Sequence, residues 1–317
     1  MLGVLSASAQ YIPVEPNPYG ERAVIVPVPA SVTGIGSPLL NLNEGWFIGE
    51  YPEEDFYAET ALPSGFKPYT IDGTGWVNRE TRNIAGFWRK IMVPQEFSGK
   101  RVILRFNSTA HDATLWVNGK FVRKHWGSYG SWTADITDFV QAGSEAVLAV
   151  RLDQRPVGLV PFVRFSANFQ GDVQLYAVPQ NYIQRLRIHT DLDAAYKDAT
   201  LQLWLKFPEA ASGTLKLNLV DAKGKKLATS PSSIKLPAGM DEFKYDFTVK
   251  NPKKWDSEHP NLYKLTLTLT DASDKQQTMK VLDKKATKGK HDVYIKFMAR
   301  EQGQKDNLFD FDWWQAK

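Results

Sequence analysis

The chain has 317 residues, 43% of them hydrophobic and 23% charged, a globular composition that excludes disorder over the whole length. The 39 lysines and arginines exceed the 35 acidic residues by a net charge of +4, too small to indicate a nucleic-acid-binding protein. Cysteine is absent, which excludes disulfides, cysteine nucleophiles and thiolate metal sites. The 10 tryptophans, 12 tyrosines and 17 phenylalanines favour a protein built of strands.

The first ten residues resemble the end of a secretory signal peptide. Ala7-Ser8-Ala9 fits the small-residue cleavage pattern, and cleavage there would leave Gln10 as the mature N-terminus. Because the basic stretch is missing and the apolar run is short, we interpret residues 1–10 as a truncated signal peptide; the alternative is a terminus with chance alanines. This predicts a secreted or periplasmic bacterial protein. No run reaches the ~18–20 apolar residues of a membrane span, so none is expected.

Residues 11–39 are rich in proline and glycine, and we expect an extended arm there. The region 40–180 then shows short strand patterns separated by turn signals, without long amphipathic helices. This predicts an antiparallel β-sandwich. Its predicted strands include Ile91–Val93, Arg101–Phe106, Thr114–Val117, Ala146–Leu152 and Val173–Val178.

Two local signals in this region are more specific. Leu115-Trp116-Val117 runs into Asn118-Gly119, a strong indication of a tight β-hairpin. Residues 135–140 predict one short helical turn, with Thr137 or Asp138 as its cap.

A second set of strands occupies residues 181–272 and has the spacing of an immunoglobulin-like sandwich. Leucines alternate with polar residues, which predicts strands with one buried and one solvated face. The predicted strands are Tyr182–Thr190, Thr200–Phe207, Gly213–Val220, Glu242–Val249 and Leu262–Thr270. The whole chain is therefore predicted to be all-β.

Five motifs in the first region occur in the order seen in a known family. They resemble the jelly-roll (galactose-binding-like) sugar-binding domain of glycoside hydrolase family 2, which contains β-galactosidases, β-mannosidases and β-glucuronidases. Gly171–Leu175 resembles the strand that closes that domain. The motifs are Gly86–Pro94, Gly99–Phe106, Trp116–Lys120, Asp135–Asp138 and Val147–Arg151.

The second region carries a matching resemblance. Asn251–Trp255, followed by His259-Pro-Asn-Leu-Tyr-Lys-Leu265, is similar to the end of that family's immunoglobulin-like domain. In the family, a third domain, a (β/α)8 barrel, carries two catalytic glutamates. The residues after 270 are too few for a barrel, which needs about 250. We therefore assign no catalytic residue and expect this chain to be inactive as a glycosidase by itself.

Residues 273–317 resemble the end of a family 6 carbohydrate-binding module and predict a C-terminal β-hairpin, formed by Gly289–Phe297 and Asn307–Trp314. Trp313 and Trp314 point to opposite faces of one strand, so one ring is core and the other a candidate sugar platform. Asp310 lies where the module is expected to hydrogen-bond its sugar. With Asp312 it also makes a poor candidate calcium site, since calcium takes six to eight oxygens. No other cofactor is expected, and a solvated face is the alternative.

A loop in the first region holds three further candidates for sugar contact: Trp126, Tyr129 and Trp132. Packing that anchors the loop is the alternative interpretation. His111-Asp112 does not indicate a hydrolytic pair, because adjacent residues on a strand face opposite ways.

Three hypotheses for function follow. The first is a non-catalytic carbohydrate-binding or scaffolding part of a family 2-like glycoside hydrolase that acts on polysaccharides. The second is a subunit or fragment of an active β-galactosidase-like hydrolase whose barrel is on another chain, and the third is a structural surface protein without ligand. The expected partners are a poly- or oligosaccharide, a barrel chain, or a second copy through self-association; nucleic acid is not expected.

Overall fold

A computed structural model describes residues 26–72, 84–110, 112–127, 130–153, 167–221, 223–256, 258–271 and 276–280. These residues fall into two compact units, one made of residues 40–175 and the other of residues 26–39 with the residues from 176 onward. The described residues contain strands and three short 3-10 turns but no α-helix, which confirms the all-β prediction.

Eighteen strands run through the described residues. They are β1 Ser31–Val32, β2 Leu39–Asn41, β3 Trp46–Glu50, β4 Lys67–Tyr69, β5 Ile84–Met92, β6 Arg101–Phe106, β7 Asp112–Val117, β8 Lys120–His125, β9 Trp132–Asp135, β10 Glu145–Asp153, β11 Val173–Val178, β12 Arg185–Leu192, β13 Ala199–Asp221, β14 Lys226–Leu227, β15 Thr229–Ser230, β16 Ser233–Val249, β17 Tyr263–Thr270 and β18 Gln276–Lys280.

The first unit is a β-sandwich of two antiparallel sheets. One has the strand order β4-β3-β5-β10-β7-β8 and the other β2-β11-β6-β9. Aromatic rings from both sheets meet between them: Phe87 of β5 lies 4.3 Å from Phe169, and Phe106 of β6 lies 5.8 Å from the same ring (centroid distances). All three are almost fully buried, so the core of this unit lies between the two sheets.

A loop covers part of the outer face of the six-stranded sheet because two glycines leave room for it. Gly49 and Gly86 are direct cross-strand partners on β3 and β5. A Cβ atom at Gly49 would lie 2.3 Å from the ring of Phe66, and one at Gly86 would lie 2.8 Å from Pro52. The loop also contains the 3-10 turn Phe56–Ala58, whose Phe56 is buried. Larger residues at either glycine would lift the loop from the sheet.

The second unit is organised by two long strands, β13 and β16, which pair along most of their length. The register shifts on β13 between Lys206 and Ala211 and again before Gly213, where the strand bends. The first part of β13 pairs with β12, and the last part pairs with β17. Leucines of both parts are fully buried in one core, so the two parts are layers of one sandwich: Leu201, Leu203, Leu205, Leu215, Leu217 and Leu219.

The sequence pattern predicts two strands, Thr200–Phe207 and Gly213–Val220, where the structure has the single strand β13. The predicted gap coincides with the register shifts, next to Pro208, which has no N–H to donate to a ladder. Leu265, Leu267 and Leu269 of β17 are buried and the intervening threonines are half-buried, as predicted. Tyr263, at the start of β17, accepts a hydrogen bond from the Lys253 N–H at 2.6 Å, the corner typical of immunoglobulin-like sandwiches.

The predicted hairpin at Asn118-Gly119 is present, since Val117 of β7 pairs with Lys120 of β8. The predicted helical turn is the 3-10 turn Thr137–Phe139, but its predicted cap is wrong. Ile136 is at the N-cap position, and Asp135, the residue before it, accepts the Thr137 N–H with its Oδ1 atom at 3.0 Å. The Thr137 hydroxyl instead accepts the Val102 N–H at 2.9 Å, which ties the turn to β6.

Part of the expected arm forms a strand. β1 pairs with β18 in the second unit, Ser31 opposite Thr278 and Val32 opposite Gln277, and Val32 is 4% exposed. β18 lies beyond the expected domain boundary at residue 272 and pairs with β17. In the sheet, β18 is therefore the neighbour of β17 on the side away from β13. The signal peptide (residues 1–10) and the C-terminal hairpin with Asp310, Trp313 and Trp314 lie outside the described residues.

Candidate functional site

Trp126 follows the end of β8 and is 38% exposed, which is high for an indole. The Lys124 ammonium lies 4.1 Å from its ring centroid, a cation–π contact. The next residue, Gly127, donates its N–H to Asp112 Oδ1 at 3.0 Å. This bond joins the backbone directly after Trp126 to Asp112 at the start of β7.

The strand registers place three more side chains, Thr114, Arg151 and Asp153, on the same face as Asp112 and Lys124. Asp112 of β7 is opposite Asp153 of β10, and Thr114 is opposite both Arg151 of β10 and Lys124 of β8. Directly paired residues, and residues two apart on one strand, share a face of a sheet. The intervening residues Ala113, Leu115 and Leu152 are fully buried, so this shared face is the outer one.

We call Asp112, Thr114, Lys124, Trp126, Arg151 and Asp153 the polar-aromatic patch. Within it, Arg151 Nε lies 3.2 Å from both carboxylate oxygens of Asp153. The Arg151 side chain is 23% exposed and the Asp153 side chain is 30% exposed. The pair holds the carboxylate in a fixed orientation while leaving it accessible to solvent.

The patch combines the groups that recognise a sugar. Carboxylates accept hydrogen bonds from hydroxyls, while guanidinium, ammonium and hydroxyl groups donate them. An exposed indole offers an apolar surface for the C–H face of a pyranose. The two carboxylates balance the two cations, so the patch carries no net formal charge and suits hydroxyl groups better than an ionic ligand.

Trp132, predicted as a sugar contact with Trp126, lies elsewhere. It is 2% exposed and stacks on Phe106 at 4.1 Å and on His125 at 5.1 Å between ring centroids. Its ring fills the core between the sheets and is not accessible to a ligand. The reason is that Trp132 is not part of a loop, as its sequence context predicts, but begins β9, which pairs with β6. Tyr129 lies outside the described residues.

No sequence motif marks Asp112, Thr114, Lys124, Arg151 or Asp153 as binding residues. They are far apart in sequence, and only the pairing of β7 with β8 and β10 brings them together. The Asn118-Gly119 hairpin signal fixes the pairing of Val117 with Lys120 and of Trp116 with Phe121, but not the one in the patch. A register shift between Trp116 and Leu115 places Thr114 opposite Lys124 instead of Arg123. Nothing in the sequence fixes the pairing with β10.

In the part of the chain that the structure describes, no group of three or more histidine, aspartate or glutamate side chains is placed to hold a metal ion. Asp310 and Asp312, the expected calcium contacts, lie outside that part. No helix among the described residues has the length and hydrophobicity to cross a membrane.

Two family models match the chain. Residues 57–161 match the sugar binding domain of glycosyl hydrolases family 2, and residues 181–285 match a second domain of glycosyl hydrolases family 2. The chain belongs to glycosyl hydrolases family 2. The polar-aromatic patch lies within the sugar binding domain of this family 2 chain. The matches end at residue 285, so the resemblance of the C-terminal residues to a family 6 module stays a prediction.

Curated relatives of this family 2 chain are named as glycosidases. A β-galactosidase of Clostridium acetobutylicum is 34% identical over 55% of this chain, and a putative β-glucuronidase of Formosa agariphila is 29% identical over 60%. A β-glucuronidase of Rattus norvegicus is 27% identical over 73%. The aligned parts cover 19%, 24% and 39% of those proteins, so the chain spans only a minor part of each.

Solved structures show the same fold. A β-glucuronidase of Bacteroides uniformis superposes with a TM-score of 0.65 at 24% identity, covering 76% of this chain and 31% of that one. A family 2 glycosyl hydrolase of Bacteroides cellulosilyticus gives a TM-score of 0.63 at 15% identity, covering 77% and 36%.

Proposed function

We propose that the two domains of this chain form a non-catalytic, carbohydrate-binding and scaffolding part of a family 2 glycosidase, and that the polar-aromatic patch binds the carbohydrate. The observation that supports this most is the position of exposed Trp126 beside hydrogen-bond donors and acceptors, within a domain that matches the family's sugar binding model. In this proposal the ligand is a neutral poly- or oligosaccharide, since the patch carries balanced charge.

Binding uses each group in a defined way. One sugar ring stacks on the Trp126 indole, whose position is set by Lys124 and by the Gly127 bond to Asp112. Sugar hydroxyls donate to the carboxylates of Asp112 and Asp153 and accept from Arg151, which the ion pair with Asp153 orients in advance. Because contacts already order these side chains in the free protein, they lose less conformational entropy when the sugar binds.

A glycan array probed with the purified chain tests this proposal. We expect retention on neutral plant, algal or bacterial glycans, and loss of that retention in Trp126→Ala and Asp112→Ala. Tyr196→Ala is the matched control, because Tyr196 is an exposed aromatic residue in the second unit and lies outside the patch. Absence of binding to every glycan, or equal binding by the Trp126 variant, would contradict the proposal.

A second candidate is a subunit of an active O-glycosyl hydrolase whose catalytic barrel is another polypeptide. It is favoured by the glycosidase names of the relatives and by the small share of their length that the chain spans. Mixing the chain with a separately produced family 2 barrel distinguishes the two: this candidate predicts that aryl-glycoside hydrolysis rises on mixing, and an unchanged rate contradicts it.

A further inference from the structure

A second aromatic surface lies on the same face of the six-stranded sheet, next to the polar-aromatic patch. Trp116 is on β7, two residues beyond Thr114, and its cross-strand partner is Phe121 of β8. Tyr57, from the loop that covers part of this face, stacks parallel on Trp116 with ring centroids 4.5 Å apart. Phe121 is 39% exposed. We call Tyr57, Trp116 and Phe121 the aromatic patch.

Two paired strands and one buried loop residue hold the aromatic patch in place. Phe56, adjacent to Tyr57, is buried and meets the Trp116 ring edge-on at 6.2 Å. Trp116 and Phe121 lie on two paired strands joined by the Asn118-Gly119 turn. The rings therefore form a fixed surface on the outer face of β7 and β8.

The two patches lie in line along β7. Trp116 and Asp112 are four residues of extended strand apart, or ~13 Å at about 3.3 Å per residue, and Asp112 binds the N–H of the residue after Trp126. Between them lies the row of Arg151, Thr114 and Lys124, whose side chains carry hydrogen-bond donors. Along β7, the outer face therefore presents first the aromatic patch, then the polar row, and then Trp126.

One sugar ring is shorter than this distance and cannot touch both aromatic surfaces. We infer that the outer face of β7 and β8 is an extended binding surface for an oligosaccharide chain, with the aromatic patch as a second stacking subsite beyond Trp126. The chain lies along β7, its terminal rings stack on Trp126 and on the Tyr57–Phe121 surface, and its middle hydroxyls bond to the polar row. This rests on the proposed function and adds the ligand's length.

Isothermal titration with neutral oligosaccharides tests the inference. The probes are gluco-, manno- and galacto-oligosaccharides, each from the monosaccharide to the hexasaccharide. We expect affinity to rise with chain length until both patches are spanned and then to level off. Phe121→Ala should lower the affinity for the longest probe about tenfold, or ~1.4 kcal/mol, and leave the weak binding of the shortest unchanged.

Matched variants separate the two aromatic subsites. Met92→Ala is the control, since Met92 is 60% exposed on the outer face of the same sheet, at the far end of β5 from Ile84. Binding that is equal for short and long probes, or a Phe121 variant that binds like the Met92 variant, would overturn the extended surface and leave the Trp126 site in place. Failure of every probe to bind would overturn the proposed function and the inference with it.

Discussion

Trp126 and Trp132 come from the same stretch of sequence but lie in opposite environments. Trp126 is 38% exposed beside Lys124, whereas Trp132 is 2% exposed between aromatic rings of the core. The reason is strand pairing: Trp132 is opposite Phe106 in the four-stranded sheet, and its side chain points inward from there. An aromatic residue near a glycine-rich turn can therefore be a ligand contact or a core residue, and pairing decides which.

This difference predicts opposite effects on stability. Trp132→Ala removes a buried indole and should lower the free energy of unfolding by about 3–5 kcal/mol, as truncation of large aromatic core residues does. Trp126→Ala should change it by less than about 0.5 kcal/mol, because the side chain is at the surface. Urea unfolding followed by circular dichroism measures both, and a stable Trp132 variant would contradict the core assignment.

The Asp198 carboxylate stabilises the second unit through hydrogen bonds. Hydrogen bonds from Lys250, at 2.7 Å, and from the Asn251 N–H, at 2.9 Å, lower the pKa of this carboxyl below its usual value of 3.8. Because the folded pKa is the lower one, the carboxylate stabilises the fold above pH 3.8 and loses this contribution as the pH falls through the folded pKa.

Asp198→Asn should therefore reduce stability near neutral pH and have a diminishing effect in acid. Melting temperatures of the wild type and the variant, measured from pH 7 down to about pH 3, should converge as the pH falls. Asp191→Asn, on the exposed part of β12, is the control. A difference that stays constant over this range would contradict the assigned hydrogen bonds.

At the scale of elements, strands of six or more residues rich in apolar side chains could be predicted from the sequence, and short strands that depend on their partners could not. β6, Arg101–Phe106, and β11, Val173–Val178, have the predicted bounds. β9 has four residues and β18 has five, too few for a clear pattern, and they are strands because they pair with β6 and β17. The polar-aromatic patch depends on the pairing of β10 with β7, so it could not be predicted in full.

The short strand β1 is expected to stabilise the second unit. Val32 is 4% exposed, and Ala30 donates its N–H to Thr278 O at 2.8 Å. Val32→Ala removes two buried methyl-sized groups and should cost about 1.5 kcal/mol at ~0.8 kcal/mol each. Hydrogen exchange should become faster in β18 in the same variant. Exposed Ser31→Ala is the control, and equal exchange in both variants would contradict the pairing.

At the scale of the molecule, the described residues are two β-sandwich units that match two family 2 models. Glycoside hydrolysis needs an acid and a second carboxylate held on a rigid frame on either side of the scissile bond. As the non-catalytic part of a glycosidase that we propose, the 317-residue chain by itself should hydrolyse no aryl galactoside, mannoside or glucuronide. Turnover that co-purifies with the chain and disappears when one of its carboxylates is substituted would refute this.

The central claim is that carbohydrate binds on the outer face of β7 and β8. Its most direct test is an NMR titration of the indole N–H signals with the best-binding oligosaccharide. Trp126→Phe and Trp204→Phe assign two of these signals, and Trp204, held by Glu242 at 2.7 Å in the second unit, is the internal control. We predict a shift of the Trp126 signal while the Trp204 signal stays fixed; a shift of Trp204 alone, or no change in Trp126 at saturation, would contradict the claim.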